Sequence, residues 1–204
     1  MAKLIVDGYG QLELNQVAWP RDGRIEAQCA LSPEDFNTGV AGDAKPFCEN
    51  GMILVVDNVT RTIRLPKGAD ENAIFAINYS TEHLYDERYQ NLKDFKLHAQ
   101  PAAAQKVGAG RAGRIWPGYD FFPRLGYMST GDKFTTNTVE LGELDYDTVK
   151  DGLAAGTKYF GGISDNGYIA VATDAPAVGP VLQVVKATTM PDGQPAFKFQ
   201  VVKA

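Results

Sequence analysis

The chain has 204 residues, enough for one large domain or two small ones, and a chain of this length buries roughly 70% of the surface its unfolded form exposes, with no need of a metal or disulfide staple. Its hydrophobic and charged shares, 44% and 22%, are those of an ordinary globular protein, and Gly and Pro run somewhat high, which points to many turns. Twenty basic against 25 acidic residues leave a net charge of −5, which argues against a general nucleic-acid binder, because neutralising phosphates needs clustered Lys and Arg.

The opening residues, MAKLIVDGYG, have neither a long apolar core nor a small-residue cleavage site, so a signal peptide is not expected. No stretch approaches the length of a membrane-spanning helix. KLIVDGYGQLELN reads as strand, turn and strand, with Asp7-Gly8 and Gly10 in the turn and Leu12 and Leu14 alternating with polar residues. RIEAQCAL alternates Ile25, Ala27 and Cys29 against Glu26 and Gln28, again as a strand. In LSPEDF, Ser32 can cap a helix with Pro33 in its first turn, and Gly39 and Gly42 limit that helix to a turn or two.

NGMILVVDNVTRTIRLPKG is the clearest β unit of the first half. An apolar run from Ile53 to Val56 is punctuated at Asp57-Asn58, continues through Thr60, Thr62, Ile63 and Leu65, and stops at Pro66-Lys67-Gly68. Ala73 to Ser80 is a further strand. STEHLYDERYQNLKDF reads as an irregular excursion with one helical turn, and HAQPAAAQKVGAGRAGRIWPG as a loop or linker without hydrophobic periodicity.

Beyond it the chain is strongly β. YMSTGDKFTTNTVEL turns at Gly131-Asp132 into a strand alternating Phe134, Thr136 and Thr138. DYDTVKDGLAAG allows a short helix ending at Gly156. KYFGGISDNGYIAVAT is a hairpin around Asn166-Gly167, and GPVLQVVKATTMPDGQPAFKFQVV a second one around Pro191-Asp192-Gly193. In its last strand Phe197, Phe199 and Val201 face one side, with Lys198, Gln200 and Val202 opposite. The expected fold is all-β: a barrel or sandwich of short antiparallel strands with one or two short helices and long loops. Residues 1–100 form an N-terminal β-rich region, 101–122 an Ala/Gly-rich and then aromatic loop, and 123–204 a C-terminal barrel-like region.

Candidate chemistry is sparse. Gly108, Gly110 and Gly113 have the G-x-G-x-x-G spacing of a dinucleotide loop, but no buried strand precedes them and Pro117, Gly118 and Pro123 forbid the helix that must follow, so no nucleotide cofactor is expected. His83, Asp86 and Glu87 could serve a metal or a general base, yet no second His is near; a surface hydrogen-bonding cluster is the plainer reading. The carboxylate pairs Glu140/Glu143 and Asp145/Asp147 would suit a glycosidase only across a cleft; otherwise Glu143 to Asp147 solvate the start of the short helix. Cys29 and Cys48 lie outside any C-x-x-C, and with His83 and His98 the only histidines no zinc site is expected. Buried thiols of a reducing cytoplasm are expected, with a single bridge as the alternative. No catalytic, cofactor-binding or metal-binding residues are assigned, and no enzyme activity is expected.

The most unusual stretch is IWPGYDFFPRLGY, where Trp116, Tyr119, Phe121, Phe122 and Tyr127 crowd beside Arg114, which precedes it, and Arg124. That mixture is favoured at protein interfaces. The alternatives are aromatics that cap the core, or a platform for sugars. The nearby cluster of Lys106, Arg111 and Arg114 reads as a solvated loop or a contact with an acidic protein.

From Asn50 to Val202 the order of elements resembles the capsid decoration (cement) proteins of tailed bacteriophages. The resemblance is carried by NGMILVVDNVTRTIRLPKGADENAIFAINYS, with its Gly-led strand, turn, polar strand and small closing apolar strand, and by LGYMSTGDKFTTNTV and the last hairpin. It implies a non-enzymatic virion protein, made in the host bacterial cytoplasm and located on the outer capsid surface. There it would bind the major capsid protein, as a homo-trimer, without nucleic acid or membrane. A tail-tube or other virion structural protein, and a carbohydrate-binding β module, are the alternatives.

Overall fold

The computed structural model describes residues 2–14, 17–38, 42–68, 73–80, 96–97, 99 and 122–204. Among these residues the chain forms, in order, β1 (Ala2–Lys3), α1 (Trp19–Asp22), β2 (Ile25–Glu26), β3 (Ala30–Leu31), β4 (Cys48–Glu49), β5 (Ile53–Asp57), β6 (Thr62–Arg64), β7 (Ile74–Asn78), β8 (Lys96–Leu97), β9 (Leu125–Tyr127), β10 (Lys133–Thr136), β11 (Val139–Gly142), α2 (Tyr146–Ala154), β12 (Phe160–Ile163), β13 (Ile169–Ala172), β14 (Val181–Thr189) and β15 (Pro195–Lys203). The fold is mainly β, as expected. The strands make a seven-stranded sheet, β1-β11-β13-β12-β14-β15-β10, a six-stranded sheet, β2-β9-β7-β5-β6-β3, and the pair β4-β8. Pairing is antiparallel except between β11 and β13 and between β3 and β6. No helix among the described residues is long and apolar enough to cross a membrane.

Chain reach shows that both sheets curl. β2 and β3 stand at opposite edges of the six-stranded sheet, yet only Ala27, Gln28 and Cys29 separate them. Those links span about 15 Å at most, whereas five strand spacings laid flat cover about 24 Å. In the seven-stranded sheet β11 and β10 are also five steps apart, and only Asn137 and Thr138 join them.

The N-terminal segment bridges the remaining gap. Ala2 and Lys3 pair with Gly142 and Glu140 of β11. Leu12 bridges to Thr136, and the Glu13 N–H donates to the Thr135 carbonyl of β10 at 2.9 Å. Between these ends, Gln194 Oε1 accepts from the N–H groups of Val6 and Asp7, and Glu49 Oε2 from that of Gly10. The expected strand–turn–strand at residues 3–15 thus does not pair with itself. Its two arms satisfy the exposed edges of β11 and β10, which would otherwise present unpaired backbone groups.

Each curled sheet encloses a core. Phe134, Val139, Ile169, Leu182, Phe197 and Phe199 fill the seven-stranded one. Leu54, Val56, Ile63, Ala76 and Leu125 fill the other, with Cys29 and Cys48 among them. β5 serves both: Ile53 packs into the first core, Leu54 and Val56 into the second. A strand covered on both faces reads as a continuous apolar run, which explains ILVV.

Local signals account for the remaining elements. Asp145 caps α2 by accepting from the Thr148 N–H at 2.7 Å, and Gly156 follows at φ 89°. LSPEDF makes only a turn, closed by the Phe36 N–H to the Ser32 carbonyl at 3.0 Å. RIEAQCAL divides into β2 and β3, which pair at opposite sheet edges. The four-residue α1, with Pro20 in its first turn, is too short to leave a periodic trace in the sequence.

Candidate interaction surface

Of the aromatic–arginine stretch, Phe122 and Arg124 fall within the described residues; Arg114, Trp116, Tyr119 and Phe121 lie outside them. Phe122 and Arg124 are exposed, and Pro123 between them and Leu125 after them are buried. This is the period-two alternation of an extended chain, and it puts the ring and the guanidinium on one outward face. Pro123 restricts the backbone further.

A ladder of buried polar groups holds this segment. The Arg124 N–H donates to Ser80 Oγ at 2.8 Å, and the Tyr79 N–H donates to the Arg124 carbonyl at 3.0 Å. Ser80 Oγ donates to Asn78 Oδ1 at 2.7 Å, and Asn78 Nδ2 to the Glu49 carbonyl at 2.9 Å. Asn78 and Ser80 are buried, which strengthens the hydrogen bonds they make. Burial raises the Tyr79 phenol, and the Arg124 charge opposes that rise. The result is an exposed aromatic–cation pair on a fixed backbone, suited to docking against a protein surface with little ordering cost.

A second polar group lies where the N-terminal segment, β4 and β13 meet. Glu49 Oε2 accepts from the Gly10 N–H at 2.7 Å and from the Tyr168 hydroxyl at 2.8 Å. Burial, followed by the charge and hydrogen bond of Glu49, pushes the Tyr168 phenol far up. Lys3 Nζ sits 3.9 Å from the centroid of the Tyr168 ring. Glu140, only 2% exposed, holds Asn166 Nδ2 at 3.5 Å from Oε1, while Oε2 has no hydrogen-bond partner among the described residues. Among those residues no three His, Cys, Asp or Glu side chains group as metal ligands.

The other sequence candidates separate. His83, Asp86, Glu87 and the three glycines at 108, 110 and 113 lie outside the described residues. Glu140 is buried in β11, Glu143 is exposed, and Asp145 and Asp147 serve the start of α2. Cys29 and Cys48 are both free and buried. Sequence reasoning missed Asn78 and Ser80 as supports for the candidate surface. Their only signal was a pair of polar residues closing an apolar strand, and the partner they hold is more than forty residues away.

The chain matches no protein-family model, no curated protein and no solved structure.

Proposed function

We propose that this chain is a non-enzymatic structural protein of a tailed-phage virion, which binds the outer capsid surface and stabilises the lattice. The observation that carries a binding role is the pair Phe122 and Arg124, both exposed on a backbone fixed through Ser80 and Tyr79. Aromatic and arginine side chains are the groups that most often anchor protein interfaces. The capsid assignment comes from the resemblance over residues 50–202, and the curled β architecture is compatible with it.

The physical role follows from linkage. A protein that binds only the assembled lattice stabilises it by mass action. Repetition of weak sites around a shell, and association of the protein with itself as a trimer, adds avidity. Neighbouring capsid subunits would be clamped with no chemical step.

A photo-crosslinking residue placed at Phe122 tests the reading on assembled particles. Crosslinks to the major capsid protein are expected. Crosslinks to a tail protein would replace the capsid assignment, and crosslinks to no virion protein would overturn it.

A further inference from the structure

The two strands of the last hairpin fall out of step at two places, near the open end and midway along. Val184 pairs with Phe199, the next pair is Lys186 with Lys198, and Val185 is left over as a bulge. Val185 and Lys186 are consequently both exposed, while Val184 and Phe199 remain in the core. From the turn, Thr189, Thr188, Ala187 and Lys186 pair in regular register with Pro195, Ala196, Phe197 and Lys198, and the bulge then brings Val184, in place of Val185, opposite the fully buried Phe199. The turn therefore sets Lys186 directly across from Lys198, and the bulge leaves Val185 exposed beside it.

Like charges directly opposite each other destabilise a sheet. Neither lysine has an ion pair among the described residues. Local conflicts of this kind concentrate at functional or strained sites. β10 adds Thr135 opposite Lys198. With Glu13, Thr188 and Thr189, these residues line an open trough of about 460 Å³ on the outer face of the sheet.

We infer that this trough binds an acidic segment of a partner protein, its carboxylates placed at Lys186 and Lys198 and its remaining acceptors at the threonine hydroxyls. The inference goes beyond the capsid reading and does not rest on it. Two lysines at directly opposed positions call for anionic oxygen, and a carboxylate relieves their repulsion directly. An open trough across three strands admits a chain passing through, where a small metabolite would favour an enclosed pocket. In a chain of net charge −5 the positive spot is local, so the contact weakens as salt is added.

The test is titration of the isotopically labelled protein with an end-blocked hexaglutamate peptide, followed by amide NMR at about 50 mM and about 300 mM salt. Saturable shifts at Thr135, Lys186, Thr188 and Lys198 are expected, weaker at the higher salt. The variant Lys186→Gln/Lys198→Gln should bind at least about tenfold more weakly while melting at the same temperature or higher, since it removes the like-charge pair. Each single variant should fall between. Absence of saturable shifts at those amides would overturn the inference, as would undiminished binding by the double variant. Equal affinity for inorganic phosphate or for glutarate would also overturn it, and would make the trough a small-anion site.

Discussion

Arg24 and Asp132 meet through two parallel hydrogen bonds, Nη1 to Oδ2 at 2.7 Å and Nη2 to Oδ1 at 3.0 Å. Arg24 enters β2 of the six-stranded sheet and Asp132 enters β10 of the seven-stranded one, so the pair ties the two sheets together. Arg24 Nη1 also donates to the Tyr127 carbonyl and to Ser129 Oγ. Removing the guanidinium leaves a mostly buried carboxylate without its counter-charge, held by the Ser129 N–H. Arg24→Ala should lower stability by about 2–3 kcal/mol in urea unfolding. Arg24→Lys should recover less than half of that, because an ammonium cannot reproduce the fork. Equal stability of Arg24→Ala and the parent would show that the bridge contributes nothing.

The same pair sets an acid limit. Burial alone would raise the Asp132 carboxyl, but hydrogen bonds from Arg24 and the Ser129 N–H, with the Arg24 charge, hold it below its ordinary value. A carboxyl depressed in the folded state contributes stability above its unfolded value and loses it as pH falls through the folded one. The urea midpoint should therefore be flat near neutrality and drop below about pH 4. In Asp132→Asn the drop should be shallower; an identical acid profile would place the acid sensitivity elsewhere.

Much of this architecture is legible in the sequence wherever a signal is local. Asn166-Gly167 and Pro191-Asp192-Gly193 mark their hairpins, and Phe197, Phe199 and Val201 alternate inward as expected, all fully buried. What escapes is long-range. Nothing near Leu4 or Leu12 indicates that they serve the edges of strands some 125 to 135 residues away. The turn in KATTMPDGQPAFK does place Lys186 across from Lys198, but no local signal reveals the bulge at Val185 that follows. The candidate surface is legible as composition, through Phe122 and Arg124, but the polar ladder that fixes it is not, since Ser80 meets Arg124 only in the folded chain.

Gly126 lies against Trp19. A Cβ there would collide with indole atoms Cδ1, Cγ and Nε1, and Trp19 is fully buried against Tyr79 and Phe134. Gly126→Ala should destabilise by about 2–3 kcal/mol, an overpacking cost larger than is usual for so small a change. A lowered melting temperature with weakened Trp19 near-UV dichroism is expected; an unshifted melt would mean that the indole yields.

The two thiols should be silent in the folded protein. Burial, with the charge and hydrogen bond of Glu26, pushes Cys29 up to about 11, and burial raises Cys48 well beyond the ordinary thiol range. Reaction requires an exposed thiolate. At pH 8 a thiol reagent should label neither cysteine in native conditions and both in urea, at a rate set by unfolding. Fast native labelling of either would contradict the closed second core.

Occupancy in the virion bears most directly on the central claim. Quantitative mass spectrometry of virions purified from the source would count this chain against the major capsid protein. The capsid reading predicts a ratio close to one copy per capsid subunit. A ratio many times smaller would move the protein to the tail, and its absence from purified virions would contradict the account.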